Sequence, residues 1–163
     1  MGVDPGLVAT GFAVLEAAPG AVTVLDVGVI STGATQSLEA RLNAIHRAVL
    51  QIIEAHAPAF LVVEDLYAEY KFPRTAILMG HARGVIYLAA RQLGVAVTAL
   101  APSEVKRAVT GSGAAGKTQV QRSVQTLLGL RDLPRPSHVA DALGLAVTGL
   151  ARLTGITPNR AAR

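Results

Sequence analysis

Four residues that lie far apart in the sequence have side chains suited to binding divalent cations. Asp4 and Glu64 each follow a short apolar stretch, while His138 and Asp141 stand three positions apart in a segment with helical periodicity. Residues with that spacing share one face of a helix. If this helix meets the ends of the two apolar stretches, three carboxylates and one imidazole gather at one point. Such a cluster would bind hard cations such as Mg²⁺ and activate water for phosphodiester hydrolysis.

A cation is part of this interpretation because closely packed carboxylates repel one another and take up protons unless a cation neutralises them. Each residue alone also has a simpler interpretation. Asp4-Pro5-Gly6 has the composition of an ordinary turn. His138 could begin a helix without being a ligand, and Asp141 would be favourable near any helix amino terminus. The sequence leaves these alternatives open, and the joint arrangement favours the metal site.

The composition indicates a single α/β domain. The 163 residues suffice for one core, and the 51% hydrophobic content comes mostly from aliphatic residues, since aromatic residues make up only 4%. We expect one domain over residues 1–153 and a short, flexible basic tail over 154–163. The absence of cysteine excludes disulfides and thiolate metal sites. No apolar run reaches the ~20 residues of a membrane span, so we expect a cytoplasmic protein without a membrane partner.

The charge balance favours an anionic partner. The formal net charge is +4 and the sequence pI is about 10.0, yet the candidate carboxylates stand beside apolar segments. A basic surface around an acidic site suits a nuclease. The alternative is that the basic surface serves only solubility.

Hydrophobic periodicity predicts the elements that must position these residues. Residues 9–15 and 22–30 form a hairpin that makes a three-stranded meander with the first strand. The other predicted strands are 60–63 and 95–100, and the predicted helices are 36–56, 75–93, a short one from Pro102, 117–130 and 137–153. Asp4 and Glu64 would end parallel neighbouring strands and so meet at one edge of a central mixed five-stranded sheet flanked by helices.

The first strand is unusually short in this prediction. Only three residues precede Asp4, whereas strands usually contain ~5 or 6 residues. We therefore expect that the native chain begins upstream, which intact-mass measurement on protein from its own host would test.

Several motifs together resemble the RuvC family of Holliday-junction resolvases, and the resemblance covers nearly the whole chain. The matching residues are Val3-Asp4-Pro5-Gly6, Gly11, Val63-Glu64, Tyr67, Gly80-His81-Ala82-Arg83-Gly84, Lys106, Lys117, Gln119-Val120-Gln121 and Ala140-Asp141-Ala142-Leu143. The resemblance implies an RNase H-like fold, a homodimer, and paired symmetric nicks at a four-way DNA junction. It also implies two Mg²⁺ ions in each active site and cooperation with the RuvA and RuvB branch-migration proteins.

By position, Asp4, Glu64 and Asp141 match the acidic metal ligands of the family. His138 stands where many members have a fourth aspartate, and some members have histidine. Because imidazole is a softer ligand than a carboxylate, His138 favours Mn²⁺ as a substitute for Mg²⁺.

The resemblance also assigns DNA contacts. Tyr67 matches an aromatic residue placed against unstacked bases, which is consistent with an aromatic side chain just beyond a catalytic strand end. Lys106, Lys117 and Arg83 match basic positions along the DNA cleft. The alternatives are that Tyr67 fills a gap beneath a loop and that the lysines are solvated surface charges.

Other functions compete with the nuclease. Residues 111–118 satisfy the Walker A pattern GxxxxGK[ST], but that pattern binds nucleotides when it follows a buried strand, and the residues before this loop are predicted to be helical. An actin-like ATPase has a similar first turn but needs two such domains. The main alternative is a protein that binds branched DNA without cleaving it, with His138 marking a degenerate metal site.

Overall fold

The computed structural model describes residues 1–18, 21–66 and 73–158 and contains five strands and five helices in those ranges. The strands are β1 (Gly2–Asp4), β2 (Ala9–Ala18), β3 (Ala21–Ser31), β4 (Phe60–Glu64) and β5 (Ala96–Leu100). The helices are α1 (Leu38–His56), α2 (Pro73–Gln92), α3 (Pro102–Thr110), α4 (Lys117–Leu128) and α5 (Ser137–Thr154).

The strands form one mixed sheet in the order β3-β2-β1-β4-β5. β2 is antiparallel to both of its neighbours, β1 and β3, while β4 lies parallel to β1 and to β5. This confirms the predicted meander followed by parallel strands. β1 is therefore the central strand, and the ends of β1 and β4 lie at the same edge of the sheet.

Alternating residues of the central strands face two separate helical layers. Val3, Leu61 and Val63 belong to the core beneath α1 and α2. Val62 packs on the opposite side with Leu145 of α5. Because side chains alternate along a strand, Asp4 points to the same side as Gly2, toward α5.

α5 packs unusually closely against the sheet because two glycines lie beneath it. A Cβ at Gly2 would collide with the backbone of Ala142 and Ala146, and a Cβ at Gly11 would collide with the carbonyl group of His138. The middle of α5, residues 139–150, is buried at every position except Asp141. These contacts fix the first turn of α5 above β2 and the following turns above β1.

Most predicted element boundaries agree with the structure within a few residues. β2 and β3 extend beyond the predicted 9–15 and 22–30, and α2 begins at Pro73, two residues before the predicted start. α3 is the element preceding loop 111–116, so the strand that a Walker A site needs is replaced by a helix. No helix in the described ranges has the length and apolar character to cross a membrane.

Candidate active site

Asp4 and Glu64 are placed side by side by the pairing of β1 with β4. Gly2 pairs with Val62 and Val3 with Val63, so the next position along the two strands brings Asp4 beside Glu64. Neighbouring strands are about 4.8 Å apart, and adjacent residues in a parallel pair point to the same face. The two carboxyl groups therefore project together toward α5, as predicted.

The first turns of α5 contribute the other two predicted residues. The imidazole Nδ1 of His138 lies 2.7 Å from Oδ2 of Asp4. The Asp4 side chain is 11% exposed and the His138 side chain is 42% exposed, so the hydrogen bond joins a buried carboxylate to a partly exposed imidazole. When Nδ1 carries the proton and donates it to Asp4, the lone pair of Nε2 is available to a cation.

The pKa values of the three carboxyl groups show that they share one electrostatic environment. Burial, followed by the charges of Asp4 and Asp141, raises the pKa of Glu64 to about 7. Burial, followed by the charge of Asp4, raises the pKa of Asp141 to about 6. Burial also raises the pKa of Asp4, although the hydrogen bond from His138 opposes this change. The cluster therefore holds protons that ordinary carboxylates would release near neutral pH.

Two lysines lie close enough to influence this cluster. Lys106 of α3 lowers the pKa of Glu64 and of Asp141, and Lys117, the first residue of α4, lowers the pKa of Asp4 and of Asp141. Both predicted basic residues therefore stand beside the carboxylates. Their positive charge does not offset the effects of burial and mutual repulsion, since the net pKa changes remain upward.

The donor set suits a hard divalent cation. Carboxylate oxygens are the preferred ligands of Mg²⁺. A cation would offset the burial and the mutual repulsion that together raise the pKa values of Glu64 and Asp141. Within the described ranges, no three His, Asp or Glu side chains are gathered tightly enough to form a preassembled ion site. Asp4 instead directs one oxygen to His138.

Arg83, the third predicted basic residue, contacts the end of β4. Its guanidinium group donates hydrogen bonds to Asp65 Oδ1 at 2.9 Å and to the Tyr87 hydroxyl at 2.8 Å. Asp65 Oδ1 also accepts a hydrogen bond from the backbone N–H of Leu66. The Arg83 side chain is only 20% exposed, so it braces the segment that follows Glu64.

Tyr67, the predicted stacking residue, lies outside the described residues. Sequence reasoning missed the brace made by Asp65, Arg83 and Tyr87. Its only signal in the sequence was an acidic residue, Asp65, directly after the end of a buried strand. It also gave no role to Gly2, although a glycine two residues before a candidate ligand is consistent with a close backbone approach.

The family model described as crossover junction endodeoxyribonuclease RuvC matches residues 1–149. The chain belongs to the RuvC family. It is 42% identical to the Rhodopirellula baltica RuvC over 91% of this chain and 84% of that protein. It is 44% identical to the Moorella thermoacetica RuvC over 90% of this chain and 87% of that protein.

Solved RuvC structures have the same architecture. A structure of T. thermophilus RuvC in complex with a Holliday junction substrate matches with a TM-score of 0.86 and 34% sequence identity, covering 97% of each chain. The fold is accordingly the RNase H-like fold of these nucleases. The protein is a crossover junction endodeoxyribonuclease of the RuvC family and requires a divalent metal.

Proposed function

We propose that this RuvC protein resolves four-way DNA junctions by paired symmetric nicks, with Asp4, Glu64, His138 and Asp141 as its catalytic metal ligands. The observation that supports this proposal best is the placement of Asp4 beside Glu64, directly under the first turns of α5. Three carboxyl groups whose pKa values are raised by burial, and for Glu64 and Asp141 also by neighbouring carboxylates, form a site whose charge is complementary to divalent cations.

Two bound Mg²⁺ ions would supply an activated water and stabilise the leaving oxygen of the phosphodiester. The protein residues prepare that chemistry. Glu64 and Asp141 must release their protons as cations bind, because a protonated carboxyl group is a poor ligand. The hydrogen bond to Asp4 orients the His138 ring, and the imidazole makes Mn²⁺ an effective substitute.

The proposed substrate is a DNA four-way junction, as in the matched T. thermophilus complex. Lys106 and Lys117 would hold backbone phosphates beside the cluster, since both act on the charges of its carboxylates. Arg83 would join this basic surface while it braces Asp65, and Tyr67 would stack on an unstacked base.

A homodimer would match the two-fold symmetry of a four-way junction. The exposed face of α2 is a suitable contact, because Ile77 and Leu88 are 60% and 51% exposed. Gly84 lies between them, and a Cβ there would have no described atom within 4 Å. Sedimentation should show a dimer for the unmodified protein and a monomer for Leu88→Asp. A monomeric unmodified protein would contradict this assignment.

Cooperation with RuvA and RuvB and a cytoplasmic location also belong to this proposal, as does the assignment of 1–153 as the nuclease domain. They are supported by membership of the family. Pull-down of the purified full chain by immobilised RuvA or RuvB on junction DNA would test the partners. No retention above that on junction DNA alone would count against them.

Cleavage of a synthetic four-way junction tests the function. The unmodified protein should cut it with Mg²⁺ or Mn²⁺ and leave linear duplex largely intact. Asp4→Asn should abolish cutting, because it removes a charged ligand while it keeps the size of the side chain. Binding of the junction should remain, since the lysines are unchanged.

Asp132→Asn is a suitable control because Asp132 is an exposed carboxylate outside the cluster. It should cut like the unmodified protein. If Asp4→Asn also cuts normally, the site assignment is wrong. If the unmodified protein binds junctions tightly but cuts none with either metal, the alternative of a non-cleaving branched-DNA-binding protein is correct.

A further inference from the structure

The turn of residues 5–9 follows Asp4 directly and, together with Asp4 and His138, lines the space beside the metal-ligand cluster. Loop segments on the surface are usually the mobile parts of a fold, and Val8 in this turn is 60% exposed. A movement of the turn would be passed to Asp4, because the next residue is Pro5, whose φ is fixed. The geometry of this proposed ligand therefore depends on what holds the turn.

Two threonines hold three consecutive carbonyl groups of the turn. The Thr10 hydroxyl donates a hydrogen bond to the Gly6 carbonyl at 2.7 Å and accepts one from the Gly6 N–H at 3.3 Å. The Thr32 hydroxyl donates to the Leu7 carbonyl, and the Thr32 N–H donates to the Val8 carbonyl at 3.0 Å. The backbone of the turn is thereby tied to β2 and to the end of β3.

Arg41 of α1 acts on the second of these threonines. Its Nε donates a hydrogen bond to the Thr32 hydroxyl oxygen at 3.0 Å. A guanidinium group can only donate, so the single proton of this hydroxyl is directed to the Leu7 carbonyl. Two consecutive hydrogen bonds therefore join α1 to the turn beside Asp4.

The contact made by Arg41 is costly for stability. Its Nη2 atom is buried and makes no hydrogen bond within the described ranges. None of the ion pairs in those ranges includes Arg41 either. A buried donor without a partner lowers the free energy of unfolding, and an apolar side chain of similar length would avoid that cost. A residue that is unfavourable for stability is consistent with a role in function.

We propose that Arg41 and Thr32 are positioning residues for the metal-ligand cluster. They fix the turn of residues 5–9 and thereby hold the Asp4 carboxylate in the geometry that a divalent cation needs. Both act through the backbone of the turn, without contacting the cation or the DNA. The proposal rests on the nuclease function proposed above, in which Asp4 is a ligand. Groups that support a metal ligand strongly affect the affinity of the site for its metal.

The test measures metal binding, DNA binding and cutting separately on the full chain. Arg41→Met should raise the dissociation constant for Mn²⁺, measured by calorimetry on DNA-free protein, by about tenfold. The Mg²⁺ concentration that gives half of the maximal cutting rate should rise by a similar factor. Junction affinity in EDTA should be unchanged. The Tm without metal should equal or exceed that of the unmodified protein, because the unsatisfied donor is gone.

Substitutions of Thr32 separate its hydroxyl group from the rest of its side chain. Thr32→Ser keeps the donor to the Leu7 carbonyl and should keep the Mn²⁺ affinity of the unmodified protein. Thr32→Val keeps the shape but removes the hydroxyl, and should weaken Mn²⁺ binding by about tenfold. Ile53→Val is the control for stability, since Ile53 is buried near the opposite end of α1. It should lower the Tm and leave Mn²⁺ affinity unchanged.

The proposal is overturned if Arg41→Met and Thr32→Val bind Mn²⁺ and cut as the unmodified protein does. It is also overturned if Ile53→Val loses as much Mn²⁺ affinity as they do, because a general loss of stability would then be the cause. Failure of the nuclease function looks different: the unmodified protein cuts no junction with either metal, and the Mn²⁺ affinities still decide whether Arg41 and Thr32 support the cluster. An unmodified protein that binds no Mn²⁺ overturns the positioning role as well.

Discussion

Replacing Glu64 with glutamine should stabilise the metal-free protein at alkaline pH while it removes one of the proposed metal ligands. In the folded protein the pKa of Glu64 rises from 4.5 to about 7. The folded state therefore binds this proton more tightly than the unfolded state does. The resulting stability is fully present below pH 4.5 and is lost as the pH rises through 7.

The size of this effect follows from the same pKa change. At about 1.4 kcal/mol for each pKa unit, ionised Glu64 lowers the free energy of unfolding by roughly 3 kcal/mol at most. The pKa values of Asp4 and Asp141 are raised as well, so these two carboxylates continue to destabilise the folded state at high pH when Glu64 alone is changed. We expect Glu64→Gln to gain about 1–2 kcal/mol at pH 8 in EDTA, which corresponds to roughly 2–8 °C in Tm.

Thermal unfolding followed by circular dichroism in EDTA, at several values between pH 4 and pH 8, measures this effect. The Tm advantage of Glu64→Gln over the unmodified protein should be small at pH 4 and largest at pH 8. Glu54→Gln, at an exposed position of α1, should show no such trend. A Glu64→Gln protein that is less stable at pH 8, or whose Tm differs from that of the unmodified protein by the same amount at every pH, would refute the inferred cost of ionising the buried Glu64 beside Asp4 and Asp141.

The remaining predictions concern the basic residues and the support of α5. Lys117→Ala should lower the slope of log affinity against log salt for junction DNA by about one, because one phosphate contact is lost. Arg83→Lys should keep that slope but cut roughly tenfold more slowly, because the shorter lysine lacks the planar guanidinium that reaches Asp65 and the Tyr87 hydroxyl while it lies over the Tyr87 ring. Gly11→Ala should reduce the free energy of unfolding by about 1–3 kcal/mol and slow cutting, since α5 must move away from its Cβ.

Each of these outcomes has a clear contrary result. An unchanged salt slope for Lys117→Ala would place this lysine away from the DNA backbone. Unmodified cutting rates for Arg83→Lys would show that the brace is not needed. A Gly11→Ala protein with the original Tm and cutting rate would mean that α5 does not depend on this close approach, and Gly80→Ala, whose Cβ would meet only ordinary contact at 3.8 Å, provides the comparison.

The sequence predicted the core of the fold because the relevant signals are local. The apolar run before Glu64 marks a strand buried on both faces, and the periodicity of 137–153 closely matches α5, Ser137–Thr154. The meeting of Asp4 with Glu64 followed from parallel pairing. The ends of β2 and β3 were missed because Glu16 and Ala17 are held by cross-strand pairing, to which residue preference contributes little.

Other features of the site depend on contacts that no local pattern encodes. The bond between Asp4 and His138 joins residues 134 positions apart. The contact of Arg83 with Asp65 required the approach of α2 to the end of β4, whereas Arg83 meets Tyr87 one turn away in the same helix. Motif resemblance identified Arg83 as a basic position, but it carried no information about which oxygen atoms the guanidinium group meets.

α5 carries His138 and Asp141 and is also buried along most of its length. The buried residues of α5 cannot shift without disrupting the core, whereas His138 and Asp141 are only partly buried. A substitution at position 138, one of the proposed metal ligands, can therefore change the donor atom while the rest of the helix stays in place. A lineage could thus retune its metal preference, or lose cleavage and persist as a stable junction binder, through one substitution on an unmoved helix.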